Sequence, residues 1–514
     1  MPRLRGLADL FRLKGRIPAG RNRKQAMWNN ENWTNKSLSL QVLLISVFIC
    51  GCGKADKQGL LPLDLQQAVK LENTKSEIRE TVRETDRPLV ISVSDRNRVN
   101  RPSSNWPQWR GPSRTDISNE SGLLRQWPDG DAGPKQLWVS HDAGIGYSGP
   151  AVVDGVLYTM GALPLSASGL EEQGGEDAVA EAKEYVIAMD TEAGELLWSS
   201  EVGDVFQNNW GNGPRSTPTI DGEFIYALGA LGDLVCLEKA NGKLVWKRSF
   251  TEDFGGEVPN WGYCESVLID GDHLICTPGG SQGAMAALDK KTGEVIWRST
   301  DFTDGAQYVS MIAIENGGKR QYIQLTQQHL VGIDAKSGNL LWSSDWPGRV
   351  AVVPTPIAKG DAVYITSGYG VGCKLLRLDK ENQAEEVYAN RNMKNHHGGV
   401  ILLDGHLYGY SDGVGWLCQK FEDGKKVWSE KGELGKGAIA YADDRFYCIG
   451  EDDGRVVLID ASSDGWTPRG EFTLSPQTEL RKPAGRVWTH PVIIDGRLYL
   501  RDQELLHCYD VRQR

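Results

Sequence analysis

The sequence predicts an all-β protein, an eight-bladed β-propeller made of four-stranded antiparallel blades. Two observations lead to this fold class: a stretch of about 30 residues recurs along the chain, and many copies of it end in Trp. The clearest copy, residues 216–246, reads STPTIDGEFIYALGALGDLVCLEKANGKLVW. Its Asp221-Gly222 and Asn241-Gly242 dipeptides suit hairpin turns, since Gly and Asn tolerate the positive φ that such turns need. The stretch therefore reads as a four-stranded meander.

The other copies follow the same order of short apolar runs and polar turns. The copies span residues 148–198, 216–246, 265–297, 310–342, 355–388, 398–428, 437–472 and 489–509. Their spacing, roughly 40 to 50 residues, is in the range of propeller blades. One such sheet cannot bury both of its faces alone, so the copies are expected to pack side by side around an axis.

The last copy, residues 489–509, supplies only three strands. Residues 135–140, KQLWVS, lie before the first copy and resemble the missing Trp strand. We expect Leu137 and Trp138 to pair into the last blade and close the ring. Closure removes the open sheet edges that would otherwise favour aggregation.

Three copies contain versions of the phrase Asp-x-x-Thr-Gly-x-x-x-Trp: AMDTEAGELLW at 188–198, ALDKKTGEVIW at 287–297 and GIDAKSGNLLW at 332–342. This phrase resembles the repeat of the pyrroloquinoline quinone (PQQ)-like β-propeller family, which includes quinoprotein dehydrogenases and BamB-like lipoproteins without catalysis. Residues 106–112, WPQWRGP, are similar to the start of PQQ-like propeller proteins. The resemblance covers about residues 105–514. It implies the fold more strongly than a function, because the fold hosts both classes.

Composition agrees with a large, turn-rich β protein. Of the 514 residues, 40% are hydrophobic, and 60 Gly and 17 Trp suit one Trp per sheet with many turns. The formal net charge is −11 and the basic residues are scattered beyond the first 24 positions. Without a basic stripe to meet phosphates, nucleic acid is not an expected partner.

The first part of the chain has the pattern of an exported lipoprotein. Residues 38–50, LSLQVLLISVFIC, match a signal-peptide apolar core and are short for a membrane span. The small residue Gly51 before Cys52 fits cleavage before Cys52 and lipidation of that residue. The alternative is that the segment stays uncleaved as a membrane anchor. Translation can also start at Met27 instead of Met1. We therefore predict a signal and lipoprotein segment at 1–52, a flexible tether at 53–104 and a propeller at 105–514. The predicted location is the membrane surface, facing the periplasm or the cell exterior.

Further features are interpreted as structural. The acidic insertion 163–183 in the first copy is expected to be a surface loop. Cys236, Cys418 and Cys508 share one place on the third strand of their copies, so we expect buried packing rather than disulfides between separate blades. No zinc-type Cys pattern occurs.

Propellers bind ligands at the mouth of the central channel, where the innermost strands begin. Aromatic and basic residues are frequent at these positions, and the Asn-rich loop 208–213 is expected to cover them. The candidate cofactor-binding residues are Arg215, Trp261, Tyr263, Trp488 and Lys436, and Tyr308, His396 and His397 lie at the same mouth. Such a funnel suits a flat anionic ligand, and PQQ is one. The alternatives are a peptide-binding rim and a plugged channel.

The resemblance to quinoprotein dehydrogenases also implies a Ca²⁺ ion near PQQ. Glu265 is the only carboxylate at an inner-strand start and Asn260 is nearby, so these two are the candidate metal ligands. The chain departs from the dehydrogenases in having no adjacent Cys pair. His396 and His397 are predicted to point to opposite faces of a strand, which disfavours a shared metal.

Three functions remain open. The leading hypothesis is an envelope-anchored scaffold that binds envelope proteins without catalysis. The alternative is a PQQ-dependent alcohol dehydrogenase of the polyvinyl-alcohol type, with PQQ and Ca²⁺ as cofactors. The third is a binder of sugars or polymers at the aromatic mouth.

Overall fold

The computed structural model describes residues 105–128, 133–163 and 182–513. In these residues the chain forms eight four-stranded antiparallel sheets and no helix, as an eight-bladed β-propeller. Blade 1 comprises β2 (Ala151–Val153), β3 (Val156–Leu163), β4 (Lys183–Asp190) and β5 (Leu196–Asp204), and blade 2 comprises β6 (Thr219–Asp221), β7 (Phe224–Leu228), β8 (Asp233–Glu238) and β9 (Leu244–Ser249). Blade 3 comprises β10 (Leu268–Asp270), β11 (His273–Cys276), β12 (Ala286–Asp289) and β13 (Val295–Arg298), and blade 4 comprises β14 (Ile312–Asn316), β15 (Lys319–Leu325), β16 (His329–Asp334) and β17 (Leu340–Asp345). Blades 5 to 7 comprise β18 (Ile357–Lys359), β19 (Ala362–Ser367), β20 (Gly372–Leu378) and β21 (Ala384–Asn390); β22 (Val400–Leu403), β23 (His406–Ser411), β24 (Gly415–Lys420) and β25 (Lys426–Glu430); and β26 (Gly437–Ala442), β27 (Arg445–Gly450), β28 (Arg455–Asp460) and β29 (Pro468–Thr473). Blade 8 comprises β30 (Val492–Ile494), β31 (Arg497–Asp502), β32 (Leu505–Asp510) and β1 (Lys135–Ser140). The predicted fold class is confirmed.

The repeated Gly and Trp dock neighbouring blades. A Cβ on Gly242 of blade 2 would lie 2.6 Å from the ring of Trp198 in blade 1, and a Cβ on Gly293 of blade 3 would lie 2.8 Å from the ring of Trp246 in blade 2. Both glycines also have φ near +70°, so a side chain there would be strained as well as crowded. The indole Nε1 of Trp246 donates to the carbonyl of Lys290 at 3.0 Å. Each Trp therefore lies on the turn of the following blade.

The repeated Asp shapes the same turn. Asp289 Oδ1 accepts hydrogen bonds from the backbone N–H groups of Lys291 and Thr292, both at 2.9 Å. Asp334 makes the equivalent bonds in blade 4. A carboxylate that accepts from the backbone two and three residues ahead holds a tight turn. The phrase that predicted the fold thus encodes a turn and the contact between blades.

The closing strand lies where the sequence predicts it. β1 pairs antiparallel with β32, Trp138 opposite Cys508, with a register shift that leaves Leu137 outside the ladder. The indole of Trp138 donates to Thr191 of blade 1 at 3.0 Å, and a Cβ on Gly194 would lie 2.6 Å from its ring. Blade 8 therefore docks on blade 1 as the other blades dock on their neighbours, and the ring closes.

A segment before β1 crosses the hub and contacts every blade. We call residues 105–118 the hub segment. Its hydrogen-bond partners are Val152, Ile220, Ser266, Val267, Met311, Thr355, Val400, Tyr441 and His490, which lie on or just before the inner strands of blades 1 to 8. Arg114 is 4% exposed and donates to three of these carbonyls. The sequence analysis did not foresee this role.

The cysteine prediction is confirmed for the described residues. All seven cysteines there are free, and Cys236, Cys418 and Cys508 are buried. Each lies opposite a Tyr of the second strand: Tyr226, Tyr408 and Tyr499. Small thiols thus fill the space beside large rings.

Other predictions fall on residues that the structure leaves undescribed. These are the segments 1–52 and 53–104, with Cys52, and residues 164–181 of the acidic insertion. Within the described ranges, no helix has the length and apolarity needed to cross a membrane.

Candidate functional site

A cavity of about 190 Å³ lies at the hub, around the starts of the inner strands. We call it the hub cavity. It is lined by Trp109, Tyr147, Trp210, Arg215, Trp261, Cys264, Tyr308, Ser310, Ala351, Val353, Tyr369, His396, His397 and Trp488. Trp109 comes from the hub segment, and the other residues come from the blades and the loops before them. The walls are mainly aromatic.

Three of the five predicted cofactor-binding residues line this cavity: Arg215, Trp261 and Trp488. The other two do not. Tyr263 is 1% exposed, and its hydroxyl donates to Pro278 at 2.9 Å while its ring packs on Phe250. Lys436 lies behind the lining, where its ammonium contacts His396. Tyr263 is thus a core residue.

The aromatic rings of the lining contact one another in tilted or edge-on arrangements, so their faces are not stacked on one another. Trp261 meets Tyr308 edge-on with ring centroids 5.8 Å apart. Trp488 lies 5.0 Å from Tyr147 and 6.5 Å from Trp210, an exposed residue of the loop 208–213 that was predicted to cover the mouth. Tilted and edge-on contacts are the favoured arrangements of aromatic pairs. They give the cavity apolar faces on several sides.

Arg215 supplies the fixed charge of the lining. Its guanidinium lies over the rings of Phe206, at 4.6 Å, and Tyr147, at 5.6 Å. It donates to the carbonyls of Gly211, at 2.7 Å, and Gly213. Burial lowers the pKa of Arg215 from its usual value. Backbone carbonyls and ring faces therefore hold this cation in place.

Glu451 is a site residue that the sequence analysis missed. Its Oε2 accepts from His397 Nε2 at 2.5 Å and from Trp488 Nε1 at 2.9 Å. Burial works to raise the pKa of this carboxyl, but the hydrogen bond and charge of His397, with the nearby Lys436, hold it at about 2. Glu451 thus fixes two lining side chains from behind. It follows Gly450 at the end of β27, a position with no marker in the sequence.

A second polar chain fixes His396. Lys436 Nζ contacts Asp412 at 3.3 Å and His396 Nδ1 at 2.5 Å, and His396 Nε2 lies 2.8 Å from the hydroxyl of Tyr369. Burial, then the nearby His397 and Lys436, lower the pKa of His396 to about 2. The ring is therefore neutral at physiological pH.

The predicted orientation of the two His is wrong. Residues 396 and 397 lie before β22 rather than in a strand, so the alternation of a strand does not apply. Both rings line the hub cavity, with centroids 5.1 Å apart. Each is already bonded at Nε2, His396 to Tyr369 and His397 to Glu451. They serve as fixed walls of the cavity.

The predicted metal ligands do not meet at the cavity. Glu265 is 1% exposed, and its carboxylate accepts from the N–H of Thr277 at 2.7 Å and from the Thr277 hydroxyl at 3.0 Å. Asn260 is exposed to solvent. Neither lines the cavity, and the described residues contain no cluster of His, Cys, Asp and Glu able to hold a metal ion. A Ca²⁺ ion takes about six to eight oxygen ligands, so this donor set does not fit one.

The buried Glu265 gives the fold a pH dependence. Burial raises the pKa of Glu265 from 4.5 to about 7, against the lowering effect of the Thr277 hydrogen bonds. Between those pH values the folded state holds a proton that the unfolded state has lost, so this group's contribution to stability falls as pH rises. Compared with a Glu265→Gln variant, the wild type should lose about 3 kcal/mol between pH 4.5 and pH 8. Urea unfolding at both pH values measures this difference.

The control is Glu381→Gln at an exposed position. Its unfolding free energy relative to wild type should not change across the same range. A constant offset between wild type and Glu265→Gln at the two pH values would show that Glu265 ionises normally in the fold.

The closed eight-bladed ring and its Gly–Trp docking define a β-propeller, and the repeated phrase of this chain resembles the repeat of PQQ-like propellers. The family model described as outer membrane protein assembly factor BamB matches residues 182–430. The recognition made from the repeated phrase is thereby confirmed.

Particular proteins of two kinds are similar to this chain. The outer membrane protein assembly factor BamB of Shewanella oneidensis is 24% identical over 254 residues, which are 46% of this chain and 61% of that protein. The match thus spans less than two thirds of that relative. The crystal structure of BamB from Moraxella catarrhalis has a TM-score of 0.50 at 14% identity, covering 73% of this chain and 99% of that one. Quinohemoprotein alcohol dehydrogenase from Comamonas testosteroni has a TM-score of 0.53 at 13% identity, covering 80% and 81%. At such identities the solved structures support the fold alone.

Proposed function

We propose that this protein is a non-catalytic scaffold of the cell envelope. The observation that carries the proposal is the composition of the lining of the hub cavity: among the described residues, no carboxylate lines it. Deprotonation of an alcohol needs a base within hydrogen-bond reach of the substrate. His396 and His397 line the cavity, but burial lowers the pKa of both rings, which makes them weak bases. Glu451 behind the wall is held by His397 and Trp488, and Glu265 by Thr277. The ring is thus better suited to binding than to redox chemistry.

The family relationship supports an assembly role. The relatives matched in sequence are named outer membrane protein assembly factors. We infer that this chain likewise binds proteins that assemble the outer membrane, and that its ring serves as a rigid docking body. Loss of the protein should then lower the amount of assembled outer membrane protein in its native host, measured by quantitative proteomics of the membrane fraction. Unchanged levels would contradict the assembly role.

The anchor is the second part of the proposal. The pattern before Cys52 supports cleavage and lipidation there, with residues 53–104 as the tether to the membrane. In the same host, Cys52→Ser should abolish labelled palmitate incorporation and fail to restore assembly. Palmitate labelling that persists in Cys52→Ser would contradict an anchor at this residue.

A PQQ-dependent alcohol dehydrogenase is the second candidate. Its support is the fold shared with quinohemoprotein alcohol dehydrogenase and the aromatic cavity with Arg215. Against it stand the buried Glu265 and the exposed Asn260.

The two candidates predict opposite results with added cofactor. On the scaffold proposal, purified protein given saturating PQQ and Ca²⁺ should show no dye reduction with primary or secondary alcohols. A known quinoprotein dehydrogenase in the same assay is the positive control. Turnover by this protein, reduced in Arg215→Met, would overturn the non-catalytic proposal and support the dehydrogenase.

A further inference from the structure

The hub cavity contains a partly buried cation, Arg215, that forms no ion pair with the described residues. Its guanidinium is held by the carbonyls of Gly211 and Gly213 and by the ring of Phe206. The charge of Glu184 also acts on Arg215, but the Glu184 carboxylate accepts from the N–H groups of Phe206 and Ala230 instead of pairing with the guanidinium. A buried charge is costly unless it is paired, and carbonyl dipoles compensate a full charge only in part. The remaining positive charge faces a cavity that has no carboxylate in the described lining. The Arg215 guanidinium is therefore the charged group of the lining with which an anionic ligand can pair, whereas the Glu451 carboxylate lies behind the wall, bonded to His397 and Trp488.

The hydrogen-bond chain through His396 leaves a second donor in the cavity. An ammonium can only donate, so Lys436 donates to His396 Nδ1 at 2.5 Å. A neutral His396 then carries its hydrogen on Nε2 and donates it to the hydroxyl oxygen of Tyr369 at 2.8 Å. Because Tyr369 accepts in this bond, its own O–H is left to donate elsewhere. Burial raises the pKa of Tyr369, which keeps this hydrogen on the oxygen.

The walls and the volume restrict the shape of the ligand. Trp109, Trp261 and Trp488 give apolar faces on which a flat ring can stack. The volume of about 190 Å³ lies below the range of about 300–1,000 Å³ that is typical of sites for drug-sized ligands. One ring or two fused rings fit this volume better than three rings with several substituents.

We propose that the hub cavity binds a planar aromatic monocarboxylate of one or two fused rings. The carboxylate pairs with the guanidinium of Arg215, the ring lies among the tryptophans, and the Tyr369 hydroxyl donates to an oxygen of the ligand. This inference is independent of the assembly role, since a scaffold or an enzyme could equally contain such a site.

The test compares a charged probe with its neutral isostere on the full-length protein. We expect 2-naphthoate to quench tryptophan fluorescence on titration and to bind at least about tenfold more tightly than 2-naphthamide, because a charge-assisted pair is stronger than a neutral hydrogen bond. Equal affinities, or no saturable binding of naphthoate, would overturn the proposal.

Two variants locate the interaction. Arg215→Met should remove the preference for naphthoate over naphthamide, and Tyr369→Phe should weaken naphthoate binding by about three- to tenfold while keeping the ring. Arg298→Met is the matched control, because Arg298 also lies over a Phe ring, at 5.2 Å, and donates to backbone carbonyls but does not line the cavity. Affinity that is unchanged in both site variants would place naphthoate elsewhere and overturn the assignment.

A larger quinone tests the size limit independently. PQQ, a tricyclic tricarboxylate, should not displace naphthoate at equal concentration if the cavity accepts at most two fused rings. Displacement by PQQ would overturn the size limit and would support the dehydrogenase candidate. Failure of the assembly role, measured in the native host, would leave the naphthoate result unaffected.

Discussion

A chain that lacks residues 1–140 is expected to yield no soluble folded protein. The deletion removes β1, so the edge of β32 loses its partner and a full row of backbone groups becomes exposed. It also removes Trp138 from the turn of blade 1 and the hub segment from all eight blades. Expression with separation of soluble and insoluble fractions measures the outcome. A soluble monomer that unfolds cooperatively would contradict closure by β1.

Two controls separate the strand from the residues before it. Deletion of residues 1–104 keeps the hub segment and β1, so it should leave a folded ring. Trp138→Ala in the full chain removes only the closing indole and should lower the free energy of unfolding by about 3 kcal/mol. Trp210→Ala, at a residue 45% exposed on a loop, should cost less than about 1 kcal/mol. Equal losses in the two Trp variants would show that the indole at 138 carries no special role in closure.

The blades could be predicted because their signals are local. Turn dipeptides, the Asp that caps a turn and the Gly beneath a neighbouring Trp all lie within one copy, and repetition shows them several times. The closing strand was predictable for the same reason, since KQLWVS repeats the Trp strand. The repeated sequence signals thus predict both the strands of a blade and its contact with the next blade.

The hub was only partly predictable because its geometry depends on distant residues. Trp261 and Tyr263 are two positions apart, yet Trp261 lines the cavity while Tyr263 packs on Phe250 in the core. Glu265 begins an inner strand as predicted, but its side chain turns to Thr277. The position of a residue near the start of an inner strand predicts that it lies at the end of the ring where the cavity is. It does not predict whether the side chain points into the cavity or into the core. That direction is set by neighbours in other blades.

The hub segment and Glu451 had no comparable signal. The partners of the hub segment lie up to 374 positions away, as for Asp116 and His490, and the segment has no strand pattern. Its motif WPQWRGP was noticed only through the family resemblance. Contacts of this range cannot be read from the spacing of one sequence.

Arg501→Met is expected to cause the largest loss of stability of any single substitution considered for this ring. Arg501 in β31 of blade 8 is 1% exposed, and its guanidinium donates across the ring seam to blade 1 and the segment before it. The acceptors are the carbonyls of Ser148, Met160, Ala143 and Gly144 and the hydroxyl of Thr159, all within 2.9 Å, and the carbonyl of Gln503. Burial lowers the pKa of Arg501 to about 9, which reflects how strongly this charge is desolvated.

The substitution leaves several buried acceptors without donors. Each such group costs about 1–3 kcal/mol, and the terms are not additive, so we expect a total loss of about 3–5 kcal/mol in the free energy of unfolding. Arg501→Lys should recover little, because an ammonium cannot reproduce the planar fork of donors. Arg377→Met removes a half-exposed ion pair with Asp361 and should cost less than about 1 kcal/mol. Urea midpoints of the three variants decide the matter, since equal midpoints for Arg501→Met and Arg377→Met would mean that the seam between blades 8 and 1 does not depend on this arginine.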